Sequence, residues 1–172
     1  FVLSAGLHSA QYVQCARLLS QPRISNKFVS SLAAKIKKEI KKIDLILSPA
    51  MGGIVIGYEI GRILNKETIF CERVNKKFEL RRGFSIKKNS RVLIVEDVIT
   101  TGKSSLECVE LIKKSKAKLV GFACLIDRSE HKKIKYKVIS QVKLEIPTYN
   151  KSNLPHHLKK IPITKPGSRF LK

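Results

Sequence analysis

The sequence lacks tryptophan, has a single methionine and contains few acidic side chains. Aromatic residues make up 6% of the 172 residues, and 13 Asp and Glu stand against 35 Lys and Arg, which gives a formal net charge of +22. A long apolar run is also absent, since the stretch LVGFACLI ends at Asp127 and Arg128, well short of the roughly 18 residues that cross a bilayer. We therefore expect no membrane-spanning segment and no membrane partner. The apolar fraction of 43% suits one globular domain, residues 1–172, with a core of useful size.

The cysteines and histidines form no metal or disulfide pattern. Cys15, Cys71, Cys108 and Cys124 show no CxxC spacing, and the histidines include only one adjacent pair, His156 and His157. This excludes the common zinc motifs and a disulfide framework, and it favours the reducing cytoplasm. We interpret the four cysteines as buried thiols in strands and helices.

The positive charge comes mostly from lysine and is spread along the chain. A nucleic-acid-binding protein would carry such a charge, because neutralised phosphates release counterions. Aromatic residues are few, however, and the lysines occupy the outward positions of amphipathic segments, which indicates solvated faces. We therefore predict no nucleic-acid partner, although the charge would help to capture small anionic substrates.

Apolar periodicity predicts alternating helices and strands. A first helix is indicated by Phe28, Leu32, Ile36, Ile40 and Ile43, with Ser25 or Asn26 as its cap. Buried strands are indicated by DLILSP, ETIFCER, RVLIVED and AKLVGFACLID, and helices by IVIGYEIGRIL and KSSLECVELIKKS. Such alternation predicts an α/β fold with a parallel sheet covered by helices on both faces.

Two segments show no clear period. The charged stretch VNKKFELRRGFSIKKNS is predicted to be a long loop or a weak hairpin, and the tail after Tyr149 is predicted to be irregular. Because the chain begins with Phe1 and the first residues do not resemble a signal peptide, we expect part of the native N-terminus to lie before Phe1.

The stretch VLIVEDVITTGKS, residues 92–104, places two acids at the end of a predicted strand. A nucleotide-triphosphate P-loop would need a glycine five residues before Gly102, where this chain has Asp97. In an open parallel sheet, ligands bind beyond the carboxyl ends of the strands. Glu96 and Asp97 accept hydrogen bonds there, which suits the vicinal hydroxyls of a ribose or a magnesium ion carried by the ligand.

The loop that follows the acids has the composition of an anion site. Thr100 to Ser104 offers hydroxyls, a glycine and backbone N–H groups at a helix start, which together suit a phosphate. A diol site beside a phosphate site indicates a ribose 5-phosphate. One alternative is the magnesium-binding strand of an ATPase, but it would need a separate GK[ST] loop earlier in the chain, and the sequence has none. The other alternative is a plain helix cap.

Residues 92–104 resemble the phosphoribosyl diphosphate (PRPP) binding motif of the type I phosphoribosyltransferases. Four further stretches are similar to the orotate phosphoribosyltransferases within that family, namely FVLSAGLHSAQYVQCARLL, SPAMGGIVIGYEIGRIL, FCERVNKKFELRRGFSI and LIDRSE. The tail IPITKPGSR resembles a bacterial subgroup. The resemblance implies the type I phosphoribosyltransferase fold, a central, mostly parallel sheet flanked by helices, with a small N-terminal hood segment in which SAGLHS closes the base pocket.

The resemblance also implies roles for individual residues. The implied catalytic residues are Arg73, Lys76, Lys77 and Asp97. The implied PRPP-binding residues are Glu96, Asp97, Val98, Ile99, Thr100, Thr101, Gly102, Lys103 and Ser104, together with Met51, Gly52 and Gly53 in the turn around the diphosphate. Thr100 and Arg128 are implied at the orotate. Surface pairing of Arg128 with Asp127 or Glu130 is the alternative for that arginine.

The implied activity is the transfer of the phosphoribosyl group from PRPP to orotate in UMP biosynthesis. Mg²⁺ is implied as a cofactor carried by PRPP, without protein side chains as ligands, and a homodimer is implied in which the loop of Arg73 and Lys77 serves the neighbouring subunit. The alternatives are a purine-type phosphoribosyltransferase and a regulator on the same fold that senses RNA or a nucleotide. The chain departs from some relatives at Ser4, where they have a lysine, and at Leu154 and His157, where the subgroup often has cysteines, so neither a catalytic lysine nor a tail metal is expected.

Overall fold

The computed structural model describes residues 1–3, 6–129, 134–164 and 166. The chain divides into two compact units, one formed by Cys15–Lys143 and the other by Phe1–Gln14 with Leu144–Lys172. The larger unit contains the sheet and the PRPP-type motif, residues 92–104. That all 172 residues form a single domain stays a prediction.

The larger unit alternates strands and helices along most of its length. Its helices are α1 (Cys15–Leu19), α2 (Pro22–Glu39), α3 (Gly52–Leu64) and α4 (Lys103–Lys114). Its strands are β1 (Leu45–Pro49), β2 (Glu67–Val74), β3 (Lys77–Leu80), β4 (Arg91–Ile99), β5 (Lys118–Asp127) and β6 (Val138–Lys143). The strands form one sheet in the order β3-β2-β1-β4-β5-β6, parallel throughout except for the antiparallel pair of β2 and β3. The predicted parallel sheet is confirmed.

The two faces of the sheet are covered by different helices. On one face Gly53 and Gly57 of α3 come so close to β1 that an added Cβ would lie 3.3 Å and 3.0 Å from Ser48 Cβ. On the other face Cys108 of α4 packs in a core with Leu45 and Leu47 of β1. Successive strand residues point to opposite faces, so the even-numbered Ser48 and the odd-numbered Leu47 place α3 and α4 on opposite sides of β1.

The first long helix differs from its prediction at both ends. It begins at Pro22, which needs no N–H partner in the first turn, rather than after a cap at Ser25 or Asn26. Ile40 follows the helix in an extended conformation, and Ile43 lies in the connection to β1, so both were wrongly included. Ile43 is nevertheless buried, at 8% exposure, because it packs in the core from outside the helix.

A short strand forms each edge of the sheet, β3 on one side and β6 on the other. The first part of the charged stretch forms a hairpin, with Arg73 opposite Phe78 and Val74 opposite Lys77, whereas residues 81–90 form neither helix nor strand. Strand β6 was not predicted at all. Only Ile139 of its six residues is buried, so the strand lacks the apolar run that marked β1, β4 and β5.

The smaller unit joins the two ends of the chain. His8 forms isolated bridges with Val2 and with Tyr149, and Ser9 Oγ donates a hydrogen bond to Pro147 O at 3.1 Å. A 3-10 turn, Lys151–Asn153, and the short helix α5, His156–Lys159, follow. Most of the tail is therefore irregular, as predicted. Ser4 and most of the stretch IPITKPGSR beyond Thr164 lie outside the described residues.

Candidate active site

The two acids of the central motif lie at the end of β4 and point to opposite faces of the sheet. Glu96 is 9% exposed and faces α4, whereas Asp97 faces the first turn of α3. This follows from the alternation of side chains along a strand. The pair is thus not one double-carboxylate cluster but two acceptors, each supported by a different helix.

Asp97 is held against the start of α3. A Cβ built on Gly52 would lie 2.7 Å from Asp97 Oδ2, so the absence of a side chain at Gly52 leaves room for the carboxylate. The backbone N–H of Val98 donates a hydrogen bond to Asp97 Oδ1 at 2.8 Å. Burial raises the pKa of the Asp97 carboxyl above its ordinary value, and the backbone hydrogen bonds only partly oppose that shift.

Glu96 is held by a residue that the sequence did not single out. The Ser105 hydroxyl, fully buried in the first turn of α4, donates a short hydrogen bond to Glu96 Oε1. This contact ties the acid at the end of β4 to the helix that begins directly after the phosphate-type loop. Nothing in the sequence marks Ser105, because serines are common in the first turn of helices for many reasons.

The loop from Thr100 to Ser104 connects the acids to α4. Gly102 is the N-cap of α4 with φ +70°, and no side chain caps the helix. The Lys103 backbone N–H donates to Thr101 Oγ1 at 3.4 Å. The N–H groups of the first turn of a helix need acceptors from outside it, so this loop has the backbone arrangement of an anion site.

The turn after β1 faces the same acid. Pro49 ends the strand, the peptide bond between Ala50 and Met51 is cis, and α3 begins at Gly52. A Cβ on Gly53 would lie 2.9 Å from Val95 O of β4, so the turn packs directly on the neighbouring strand. Met51 itself is 73% exposed. The structure therefore brings Gly52 next to Asp97, and the role of Met51, Gly52 and Gly53 at a diphosphate stays a prediction.

The three basic residues predicted to be catalytic lie in the β2–β3 hairpin. Lys76 and Lys77 are exposed, and Asn75 and Lys76 at the turn have positive φ. Arg73 is half-buried on β2, where its guanidinium donates hydrogen bonds to Glu107 of α4 and to Lys76 O, each at 2.6 Å. Within the described part of the chain, Arg73 is thus bonded to its own subunit, and Glu107 is a second residue that the sequence did not indicate.

Arg128 follows β5 directly at the same edge of the sheet. Its backbone N–H donates to Ile99 O at 2.8 Å, so it lies beside the end of β4, and its side chain is half-buried. The Asp127 carboxylate accepts hydrogen bonds from Ser129 N and Ser129 Oγ at 2.8 Å and 2.6 Å. Glu130, the other residue considered as a surface partner of Arg128, lies outside the described residues.

The remaining motif residues differ in what they offer to a ligand. Val98 and Thr100 are half-buried, whereas the Ile99 side chain is 1% exposed and packs in the core. Ile99 can therefore contact a ligand only through its backbone.

Comparison with known proteins identifies the family. Residues 17–160 match the phosphoribosyl transferase domain family. Orotate phosphoribosyltransferase from Parvibaculum lavamentivorans is 46% identical over 99% of this chain and 89% of its own length. The corresponding enzyme from Erythrobacter litoralis is 43% identical over 98% of this chain and 89% of its length. The chain belongs to the orotate phosphoribosyltransferase family.

Solved phosphoribosyltransferase structures share the fold. Orotate phosphoribosyltransferase from Aeropyrum pernix matches with a TM-score of 0.70 at 22% identity, covering 84% of this chain and 85% of that one. An adenine phosphoribosyltransferase from Thermoanaerobacter pseudethanolicus matches with a TM-score of 0.68 at 19% identity, covering 77% of this chain and 88% of that one. The predicted fold class and the orotate phosphoribosyltransferase family are therefore confirmed, while the individual site residues stay predictions.

All four cysteines of the chain are free thiols. Cys15, Cys71, Cys108 and Cys124 are buried free thiols on α1, β2, α4 and β5, as predicted. Among the residues that the structure describes, no group of three or more His, Cys, Asp or Glu side chains is placed to hold a metal ion. In the same part of the chain, no helix is both long and apolar enough to cross a membrane.

Proposed function

We propose that this chain transfers the 5-phosphoribosyl group of PRPP to orotate, giving orotidine 5-monophosphate and diphosphate for UMP synthesis. The observation that carries the proposal is the contact between Asp97 and Gly52. It joins the acid at the end of β4 to the glycine turn after β1, so an acceptor for ribose hydroxyls lies beside a backbone turn suited to diphosphate. The anion-binding loop before α4 completes the three parts that PRPP requires.

The reaction needs charge placement more than acid or base chemistry. Breaking the bond from ribose C1 to diphosphate leaves positive charge on the sugar and negative charge on the leaving group. Asp97 and Glu96 would hold the ribose hydroxyls near the first charge, and the N–H groups of residues 100–104 would bind the 5-phosphate. Fixed groups of this kind orient the ribose for attack by the base nitrogen. The proton on that nitrogen leaves as its bond to C1 forms, and the departing diphosphate or solvent can accept it.

Mg²⁺ fits this site as an ion delivered by PRPP. Glu96 Oε1 is engaged by Ser105, and Asp97 Oδ1 accepts from Val98 N, so neither acid offers two unoccupied oxygens. Mg²⁺ keeps several waters and needs few protein ligands when phosphates supply the rest. If a protein oxygen were to bind the ion, Asp97 Oδ2 beside Gly52 is the candidate. When bound, the ion would offset the negative charge of the diphosphate.

Arg128 is the residue we assign to the base. Orotate carries a carboxylate, and a guanidinium can give it two parallel N–H bonds without losing its own proton. The Arg128 backbone N–H donates to Ile99 O, so the residue lies at the carboxyl ends of β4 and β5. Ligands bind beyond the carboxyl ends of parallel strands, and this position supports the role. Thr100, next in the chain to Ile99, is the second residue we assign to the orotate.

A homodimer is part of the proposal. Met51, Val55 and Tyr58 are 73%, 51% and 63% exposed, and their spacing puts them on one side of α3, next to the diphosphate turn. An apolar helix face of this kind suits a contact with a second copy. Such a contact would bring a neighbouring hairpin, with its Lys76 and Lys77, toward the site.

The purine-type alternative has the fold in its favour but not the sequence. Adenine and orotate phosphoribosyltransferases match the structure with similar TM-scores, whereas the full-length relatives above 40% identity are orotate enzymes. The regulatory alternative rests on the charge of +22 alone. The absence of a nucleic-acid partner and the cytoplasmic location stay predictions.

The test is diphosphate release from PRPP in the presence of Mg²⁺, with orotate compared with adenine, hypoxanthine and uracil. We expect release with orotate only. Release with a purine instead would replace the proposed substrate, and tight, sequence-selective RNA binding at physiological salt without any release would support the regulator.

A further inference from the structure

The guanidinium of Arg73 is engaged on three sides. It donates to Lys76 O across the hairpin turn and to Glu107 Oε2 on α4, each at 2.6 Å, and its carbon lies 4.1 Å from the centre of the Phe78 ring. Phe78 is 7% exposed and packs in the core. Arg73 therefore connects the turn, the returning strand and α4 through one rigid side chain.

Glu107 connects the hairpin to the helix of the phosphate loop. It lies four residues after Lys103, one turn into α4, and both its side chain and that of Arg73 retain 28% exposure. A second contact lies beside it, since Cys108 Sγ is 3.4 Å from Cys71 Sγ of β2. Cys71 and Arg73 point to the same face of β2, so two neighbouring contacts dock the strand that leads into the hairpin on α4.

The geometry points to Glu107 as a positioning residue for the reaction. We propose that its carboxylate holds Arg73, and that Arg73 in turn holds the turn at Asn75 and Lys76 in the conformation that presents Lys76 and Lys77 to diphosphate. The inference rests on the proposed function, because it assigns a task to the hairpin of that same site. It is independent of whether the lysines serve their own subunit or the neighbouring one.

The charge and burial of the pair explain why the contact matters. A hydrogen bond between ionised groups is shorter and about twice as strong as a neutral one, and partial burial reduces its screening by solvent. The turn residues Asn75 and Lys76 both have positive φ, which non-glycine residues rarely adopt. Two such residues in a row are typical of the type I′ turn of a two-residue hairpin, and the Arg73 guanidinium adds a side-chain donor to Lys76 O of this turn.

Glu110 provides a matched control on the same helix. It lies three residues after Glu107 and pairs with Lys113, but both of those side chains are 61% exposed and neither contacts the hairpin in the described structure. Glu107→Gln and Glu110→Gln therefore remove the same charge from α4. Only the first takes the charge away from the hydrogen bond with Arg73, whose acceptor becomes a neutral amide oxygen.

The experiment is a double-mutant cycle with steady-state kinetics for both substrates. We expect Glu107→Gln to lower kcat/KM for PRPP about fivefold to thirtyfold, as loss of a partly exposed charged hydrogen bond should. The KM for orotate and the thermal midpoint should match those of Glu110→Gln. Arg73→Gln combined with Glu107→Gln should be no worse than Arg73→Gln alone, because both changes break the same contact.

Two results would overturn the proposal. One is a Glu107→Gln enzyme with the PRPP kinetics of Glu110→Gln. The other is a double variant in which the two losses multiply, because Glu107 would then act other than through Arg73. Wild-type release of diphosphate with each base is measured first, so failure of the orotate assignment is seen separately, and the cycle is then run with whichever base the enzyme uses.

Discussion

The Asp97 carboxylate occupies the space that a side chain at Gly52 would need. An added Cβ would lie 2.7 Å from Oδ2 and 2.8 Å from both Cγ and Oδ1. Real Cβ atoms do not approach this closely, so a larger residue at the start of α3 must displace the acid. The glycine is therefore required by the position of the acid and not by backbone conformation, since its φ is not positive.

Gly52→Ala should separate activity from stability. Alanine favours a helix over glycine by up to about 1 kcal/mol, and the flexible carboxylate can rotate away, so the free energy of unfolding should fall little or even rise. Displacing the ribose acceptor should lower kcat/KM for PRPP by about tenfold or more. Urea unfolding and diphosphate release measure the two quantities, and unchanged kinetics would remove Asp97 from the ribose site.

Asp97→Asn should be nearly inactive but more stable than the wild type at neutral pH. Because the folded-state pKa of Asp97 is raised, the stability that this group contributes is present below its unfolded pKa and is lost as pH rises through the folded value. The amide removes the buried charge and still accepts from Val98 N. We expect a gain in the free energy of unfolding at neutral pH and none in acid, with activity reduced about a hundredfold.

Unfolding curves of both proteins at acidic and neutral pH provide the measurement. A stability gain of Asp97→Asn over the wild type that does not grow as pH rises would show that burial does not govern this carboxyl. Wild-type turnover by the folded variant would contradict its role at the ribose.

Gly57→Ala should destabilise the fold, and Ser48→Ala should partly restore it. A Cβ on Gly57 would lie 2.0 Å from Ser48 Oγ and 3.0 Å from Ser48 Cβ, inside the contact of α3 with β1. Overpacking of this kind costs about 1–3 kcal/mol. Among the described residues Ser48 Oγ is buried and has no hydrogen-bond partner, so removing it should cost little by itself.

The measurement is the free energy of unfolding of the two single variants and the double variant. A double variant as unstable as Gly57→Ala would show that the clash with Ser48 Cβ, or a shift of the helix, dominates.

The sequence predicted those parts of the fold and site that depend on neighbouring residues. The run that begins at Val92 is apolar because β4 is buried at the centre of the sheet. It ends in Glu96 and Asp97 because the carboxyl end of this strand is where ligands bind. Strand β6 escaped prediction because an edge strand with one buried residue has no such run.

Site residues whose partners are distant in the chain could not be predicted. Ser105 donates a hydrogen bond to Glu96, nine residues earlier in the chain, and Glu107 accepts one from Arg73, 34 residues earlier. Serine and glutamate are common in the first turns of helices, so the sequence does not mark either residue. Only the packing of α4 on β2 and β4 reveals the contacts. Gly52 was named only as part of the diphosphate turn, and its contact with the Asp97 carboxylate of β4 depends on the packing of α3.

A hybrid dimer tests whether the hairpin serves the neighbouring subunit. A Lys77→Ala subunit paired with an Asp97→Asn subunit would have one site with both defects and one with none, if the hairpin acts across the dimer. Random exchange of two nearly inactive proteins should then restore about a quarter of wild-type activity. No recovery, with exchange demonstrated by differently tagged subunits, would place the hairpin in its own site or make it dispensable.

Arg128→Lys should impair the use of orotate and leave PRPP binding nearly unchanged. Lysine keeps the positive charge but loses the planar fork, so it cannot give two parallel bonds to a carboxylate. Loss of one charge-assisted hydrogen bond costs about 1.5–3 kcal/mol, which is roughly tenfold to a hundredfold in catalytic efficiency. Kinetics with varied orotate at saturating PRPP, and PRPP affinity by calorimetry, separate the two effects. Arg17→Lys in α1 is the matched control, because it makes the same substitution at an exposed arginine that is not assigned to the site. Normal orotate kinetics in both Arg128→Lys and Arg128→Ala would contradict the assignment, and another residue would then have to supply the donors that the orotate carboxylate needs.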